Sequence, residues 1–515
     1  MDYAVQIKNV TKAFGTKVIA NKNVSMEVGK GEILAVLGEN GSGKTTLMNM
    51  LAGIYYPDQG EILVNGQRVE IRSPKDAYNL GIGMIHQHFK LIDVFTALEN
   101  IALGLDSSQK FDLEEIGRKT REICDRYHFD LDLRQKVYTM SVSQKQTLEI
   151  IKVLYRGADI LILDEPTAVL TPQETERLFN VIRNMRDDGK SVIIITHKLH
   201  EVLEISDRVV ILRKGEYIGS VKTSEATESL LTEKMVGRKV ELNIRRTDPV
   251  DPEKRLSVKN LTVYSKDGIK ILDDISFDAF SGEILGIAGI SGNGQKELLE
   301  AIAGLQVTAK GSSVEYFEKG KEDHPVQLIG KNTKQIRDIG VHLGFVPEDR
   351  LGMGLVGSMG MTGNMMLKTY YNKGFIFTDS KTPGQIARDV KEKLEVVTPN
   401  VNTPVRQLSG GNVQKVLVGR EIAEMPAVLM TAYAVRGLDI NTSYLIYNLL
   451  DDEKKNGVAV IYVGEDLDVL IDLCDRILVL CGGKVSGILD ARTTSKEEVG
   501  LLMTNLRKEG EKDNE

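Results

Sequence analysis

Short runs of aliphatic and β-branched residues alternate along the chain with stretches whose apolar positions recur at helical spacing. The run Ile33-Leu34-Ala35-Val36-Leu37 reads as a buried strand, as do Ile160–Leu163, Ser191–Thr196 and Val458–Val463. A run that is apolar at every position suits a parallel strand covered on both faces. Between such runs, Glu174–Asp188 reads as a helix, and the stretch from His88 to about Glu149 is mainly helical in pattern. The alternation predicts an α/β fold with a largely parallel sheet, with ligands at the carboxyl ends of the strands.

The pattern occurs twice. Gly38 matches Gly289 at an offset of 251, while Ser141 matches Ser409, Asp164 matches Ala432 and His197 matches Glu465 at 268. One insertion in the second half, within Val307–Lys334, accounts for most of the drift. A repeat of this length is a duplicated domain, not a solenoid. The polar stretch VELNIRRTDPVDPEKR, with Pro249 and Pro252, reads as the connection. The expected organisation is a first domain over residues 1–240, a linker over 241–255, a second domain over 256–505 and a flexible charged tail over 506–515.

Candidate chemistry sits where these elements meet. Residues 38–46, Gly38-Glu39-Asn40-Gly41-Ser42-Gly43-Lys44-Thr45-Thr46, form a complete G-x-x-x-x-G-K-[ST] phosphate loop between a strand pattern and a helix pattern. The glycines let backbone N–H groups face a phosphate. Lys44 supplies a cation for the β- and γ-phosphates, Thr45 a hydroxyl for Mg²⁺, and Thr46 helps start a helix whose dipole favours the anion. Asp164, at the tip of its strand, can hold Mg²⁺ through water, and Glu165 beside it can accept a proton from attacking water. His197 follows another strand and can contact the γ-phosphate. Gln87, a neutral amide in GIGMIHQHF, can orient water or Mg²⁺. Phe14 in TKAFG suits either an adenine-stacking ring or an ordinary core aromatic.

Composition narrows the setting. The chain has 515 residues, 42% hydrophobic and 27% charged, with a net charge of −7. That length argues for more than one domain, and the acidic balance argues against a general nucleic-acid binder. Cys124, Cys474 and Cys481 have no paired spacing and read as core residues in a reducing compartment. The start of the chain lacks the basic-then-apolar pattern of a secretory signal, and no run of about 18 apolar residues is present to span a membrane.

Phosphate loop, glutamine, signature segment, ILILDEPT and histidine, in this order, resemble an ATP-binding cassette protein, and the resemblance covers almost the whole chain twice. With LSGGN in the second half and GIAGISGNGQ in place of its phosphate loop, the chain resembles the ATPase subunit of importers for simple sugars or nucleosides. GIGMIHQHF and VPEDR lean toward the nucleoside branch.

The resemblance implies two tandem nucleotide-binding domains. Each would have a P-loop, RecA-like α/β core, an antiparallel β subdomain and a helical subdomain. It implies ATP and Mg²⁺ and two integral-membrane permease subunits as partners. It also implies an extracytoplasmic solute-binding protein acting indirectly, no nucleic acid, and a peripheral place on the cytoplasmic face of a bacterial membrane.

The resemblance also implies paired sites, each made by one domain's phosphate loop and the other's signature. Site one joins Lys44, Asp164, Glu165 and His197 to Ser409, Gly410 and Gly411, which open a helix pattern able to grip a γ-phosphate. At site two the lysine position is Gln295, with Lys296 displaced by one residue. Ala432 and Tyr433 replace the Asp-Glu pair, Glu465 the histidine and Glu348 the glutamine, and Val142 and Ser143 replace the signature glycines. Glu348 and Glu465 are expected to add negative charge there. Site one is therefore expected to hydrolyse ATP and site two to be idle. Two other readings stay open: a nucleotide-sensing regulator, and a soluble twin-cassette ATPase outside transport.

Overall fold

The computed structural model describes residues 2–15, 18–86, 89–103, 112–168, 170–238, 243–290, 292–369, 379 and 381–504. The chain divides into two compact units, Met1–Glu241 and Leu242–Glu515.

In the first unit a six-stranded sheet runs in the order Glu216–Lys222, Arg208–Arg213, Ile33–Leu37, Ser191–Ile195, Ile160–Asp164, Ile82–Ile85. Its neighbours are parallel except for the edge hairpin Arg208–Arg213/Glu216–Lys222. The strands Ile33–Leu37, Ile160–Asp164 and Ser191–Ile195 are buried at every residue. Because side chains alternate between faces, these strands feed two cores. Leu34, Val36, Ile162 and Ile193 pack toward a four-stranded antiparallel sheet that includes Tyr3–Phe14 and Val18–Gly29. Ile33, Leu161, Leu163 and Val192 pack instead on Phe179 and Ile182 of the helix Pro172–Asp187. A separate apolar cluster holds Ala97–Ala102, Leu113–Tyr127 and Val142–Tyr155 together as a helical subdomain, with Cys124 buried in it.

The second unit repeats this plan. Its six-stranded sheet runs Leu343–Val346, Val428–Ala432, Ala459–Val463, Ile284–Gly289, Arg476–Cys481, Lys484–Asp490, beside a four-stranded antiparallel sheet. The insertion read from sequence falls in two places. The strands Ile82–Ile85 and Leu343–Val346 stand 261 apart, so part of the extra length precedes Leu343. The helices Val142–Tyr155 and Gly410–Ala423 stand 268 apart, so the rest lies after Val346, in the helical subdomain.

The segment given to the linker is partly built into the second unit. Lys254 and Arg255 already belong to the strand Lys254–Tyr264. Arg246 donates to the carbonyls of Ile471 and Cys474, and Thr247 donates through its amide and hydroxyl to buried Asp451. Lys454, almost wholly buried, donates to the Thr247 carbonyl and pairs with Asp475 at 2.8 Å. The tail from residue 505 onward lies outside the described residues. Cys474 is buried and Cys481 half-buried. Among the described residues no helix is long and apolar enough to cross a membrane.

Candidate functional site

The strand Ile33–Leu37 ends at the loop whose two left-handed glycines, Gly41 (φ 79°) and Gly43 (φ 94°), turn the chain into the helix Lys44–Leu51. A Cβ on Gly43 would stand 2.3 Å from the Ala20 carbonyl oxygen and 2.6 Å from Asn21 Nδ2, so only glycine fits. The loop is tied down from outside. Asn21 Nδ2 donates to the Gly43 carbonyl and the Gly215 amide to the Ser42 carbonyl, at 3.2 and 3.1 Å. Lys44 is buried, and its Nζ donates to the carbonyls of Gly38 and Glu39 at 2.6 and 3.0 Å. Burial holds its pKa below the ordinary lysine value. Glu39, Asn40 and Gly41 form the rim of the loop, and Thr45 and Thr46 begin the helix.

Asp164 is the last residue of its strand and is buried. Glu165 takes a left-handed backbone (φ 47°) because its amide donates to the Ile195 carbonyl of the neighbouring strand at 2.8 Å. That turn brings Glu165 Oε1 to 2.9 Å from His197 Nδ1. The hydrogen bond from His197 lowers the Glu165 pKa, while burial, followed by the adjacent Glu165 charge, raises Asp164 to about 6. Lys44 and the Thr45 hydroxyl act on Asp164 in the opposite sense. The structure thus brings together Lys44, Thr45, Asp164, Glu165 and His197.

Phe14 is 40% exposed at the end of its strand, its ring edge-on to Tyr55 with centroids 5.1 Å apart. It is not a core aromatic. Gln87 lies outside the described residues.

The donor set fits a magnesium nucleotide. The buried Ser42 Oγ has no hydrogen-bond partner among the described residues, in a glycine-rich loop at a helix start, which suits a phosphate oxygen. Asp164 and Glu165 crowd two carboxylates beside the Thr45 hydroxyl, which suits a hard divalent cation.

The second unit keeps the backbone of this arrangement and replaces its side chains. Gly292 (φ 91°) and Gly294 (φ 98°) repeat the left-handed pair. Gln295 is buried in the lysine's place and donates to the Ile290 carbonyl at 3.1 Å. Lys296 is exposed and stands 3.8 Å from Glu300 on its own helix. Tyr433 adopts the same left-handed turn (φ 51°), with its amide on the Val463 carbonyl.

The expected negative charge is partly offset, one guanidinium standing against two carboxylates. Arg436 bridges Glu348 and Glu465, at 2.5 and 3.1 Å. Sequence reasoning missed Arg436 because only the tertiary fold brings it to both carboxylates.

The two signature segments also differ. Ser141 caps its own helix: its Oγ accepts from the Gln144 amide at 3.2 Å, and Gln144 Oε1 accepts from the Ser141 amide at 3.0 Å. This closed box occupies the helix N-terminus. Ser409 makes no such cap on the helix Gly410–Ala423; its Oγ accepts instead from Asn412 Nδ2 at 2.8 Å. The first-turn amides beside Gly410 and Gly411 are left without a serine cap.

Comparison with known proteins gives a consistent result. Residues 21–168 and 272–431 each match the family model described as ABC transporter. Over 508 residues the chain is 40% identical to the guanosine import ATP-binding protein NupO of Bacillus subtilis, covering 98% of each. It is 40% identical to the nucleoside import ATP-binding protein NupA of Lactococcus lactis, covering 97% of each. It is 37% identical to the glucose import ATP-binding protein TsgD13 of Haloferax volcanii, covering 97% of this chain and 95% of that one.

Proposed function

Since the chain belongs to the ATP-binding cassette family and is an ATPase of that type, we propose that it energises an importer for a nucleoside or simple sugar and that only its first half supplies the hydrolytic groups. The contrast between the two halves at matched positions carries this reading. The first half joins Lys44, Asp164, Glu165 and His197 around one loop; the second has Gln295, Ala432, Tyr433 and Glu465 there.

Lys44 and the amides of the loop hold the β- and γ-phosphates. Thr45, Asp164 and Gln87 would hold magnesium, which when bound offsets charge on the phosphate oxygens. Glu165 orients the attacking water and accepts its proton, and His197 keeps Glu165 ionised and turned toward the γ-phosphate. Phe14 offers a ring to the adenine. Ser409, Gly410 and Gly411 leave a helix N-terminus uncapped by serine, which suits a phosphate oxygen.

The second unit's loop carries the neutral Gln295 in place of lysine. A hydrogen bond to a charged group contributes roughly 1.5–3 kcal/mol, and this site lacks lysine, metal carboxylate and base together. It is an idle partner. Two integral-membrane permease subunits dock on the helical subdomains, and a solute-binding protein delivers cargo from outside. The chain lies peripherally on the cytoplasmic face. The names of NupO and NupA favour a nucleoside as the solute.

Phosphate release by paired variants tests the asymmetry. Glu165→Gln should keep ATP bound while turnover falls at least about 100-fold. Gln295→Met, matched in size, should leave turnover within about twofold. Unchanged turnover in the first variant, or a large loss in the second, overturns the proposal.

A further inference from the structure

Glu201 is a buried carboxylate, 3% exposed, that takes no part in the hydrolytic scheme. Its Oε2 accepts from the Thr167 hydroxyl at 2.6 Å and from the Thr196 hydroxyl at 3.3 Å. Its Oε1 lies 3.0 Å from Lys198 Nζ, which also donates to the Thr167 carbonyl at 3.4 Å. Both threonines are buried. Thr167 stands two residues after Glu165, and Thr196 immediately precedes His197. One carboxylate therefore fastens the segment that carries the base to the segment that carries the histidine.

Apolar packing would hold two such segments together at lower cost, because burying a charge carries a penalty of several kcal/mol before its partners compensate. The second unit lacks the polar groups, and its Val435 and Val469 pack against an apolar core instead. At the matching offset of 268, Thr167 becomes Val435, Thr196 becomes Gly464, Lys198 becomes Asp466 and Glu201 becomes Val469. Yet the second unit forms the same turn, with the Tyr433 amide on Val463 as the Glu165 amide is on Ile195. The fold of this corner thus does not require the carboxylate network. The network is present in the half that has the base and histidine, and absent in the half that lacks them.

We propose that Glu201 is a positioning residue for ATP hydrolysis, acting through Thr167 and Thr196 to fix the spacing of Glu165 and His197. Directional hydrogen bonds set that spacing more narrowly than apolar packing does. The proposal rests on the reading of the first half as the hydrolytic site.

The test measures steady-state phosphate release by the full chain against Mg·ATP concentration. Thr167→Val removes the hydroxyl with little change of shape, Thr167→Ser keeps it, and Glu201→Gln removes the charge. Thr167→Val and Glu201→Gln should lower kcat about tenfold or more with KM within about twofold. Thr167→Ser should stay within about threefold of the unaltered chain. Thermal unfolding confirms that each variant is folded, and if Glu201→Gln is not, the Thr167 pair decides. Thr167→Val at the unaltered rate overturns the proposal. So do equal losses in the Val and Ser variants, or a rise confined to KM. If Glu165→Gln itself turns over normally, the reading of the site fails instead.

Discussion

At the scale of single residues, the site is a balance of buried charges. Asp164 is raised to about 6 by burial and by Glu165, so in the nucleotide-free protein it takes up a proton as the pH falls through that value. Magnesium requires the carboxylate form, so below pH 6 the ion must displace a proton. Affinity for Mg·nucleotide should rise with pH up to about 6 and then level, the slope below approaching about tenfold per pH unit. Calorimetric titration with Mg·ADP from pH 5 to 8 checks this; a flat profile contradicts it. Lys44, Asp164, Glu165 and His197 were legible in the sequence because a phosphate loop and a strand-end Asp-Glu have fixed spacing. Arg436 and Glu201 were not, since each gains its meaning from groups that only folding brings near.

At the scale of elements, the loop before Lys44–Leu51 is shaped by what surrounds it. Gly43→Ala would force a side chain into the Ala20 carbonyl at a left-handed φ of 94°. It should weaken nucleotide binding more than about tenfold and cost about 1–3 kcal/mol of stability. Equilibrium binding and denaturant unfolding measure the two effects. The buried strands were readable because their apolar runs have no polar face. The segment Ser141–Gln144 shows the limit of motif reading: as a signature it is degraded, but its spacing is that of a capping box, and the geometry follows the box.

At the scale of the whole molecule, duplication gives two units with the same strand order and different contents. The repeat was legible from matching landmarks. So was the larger part of its extra residues, which precedes Leu343; the smaller part, in the helical subdomain, was not, because loop length leaves no mark in hydrophobic periodicity. Nor was the anchoring of Arg246 and Thr247, whose polar surroundings in sequence look like any linker. Lys454→Ala would leave Asp475 buried without its nearest cation. It should cost about 3–5 kcal/mol, read as a lower melting temperature for the second unit.

The turn at Tyr433 carries a broader consequence. An aromatic residue has no need of a left-handed backbone, yet the chain keeps one where Glu165 has its own. The left-handed turn is therefore a property of the frame and not of the residue that stands on it: placing a glutamate at Tyr433 would ask for a new side chain and no new backbone at that corner.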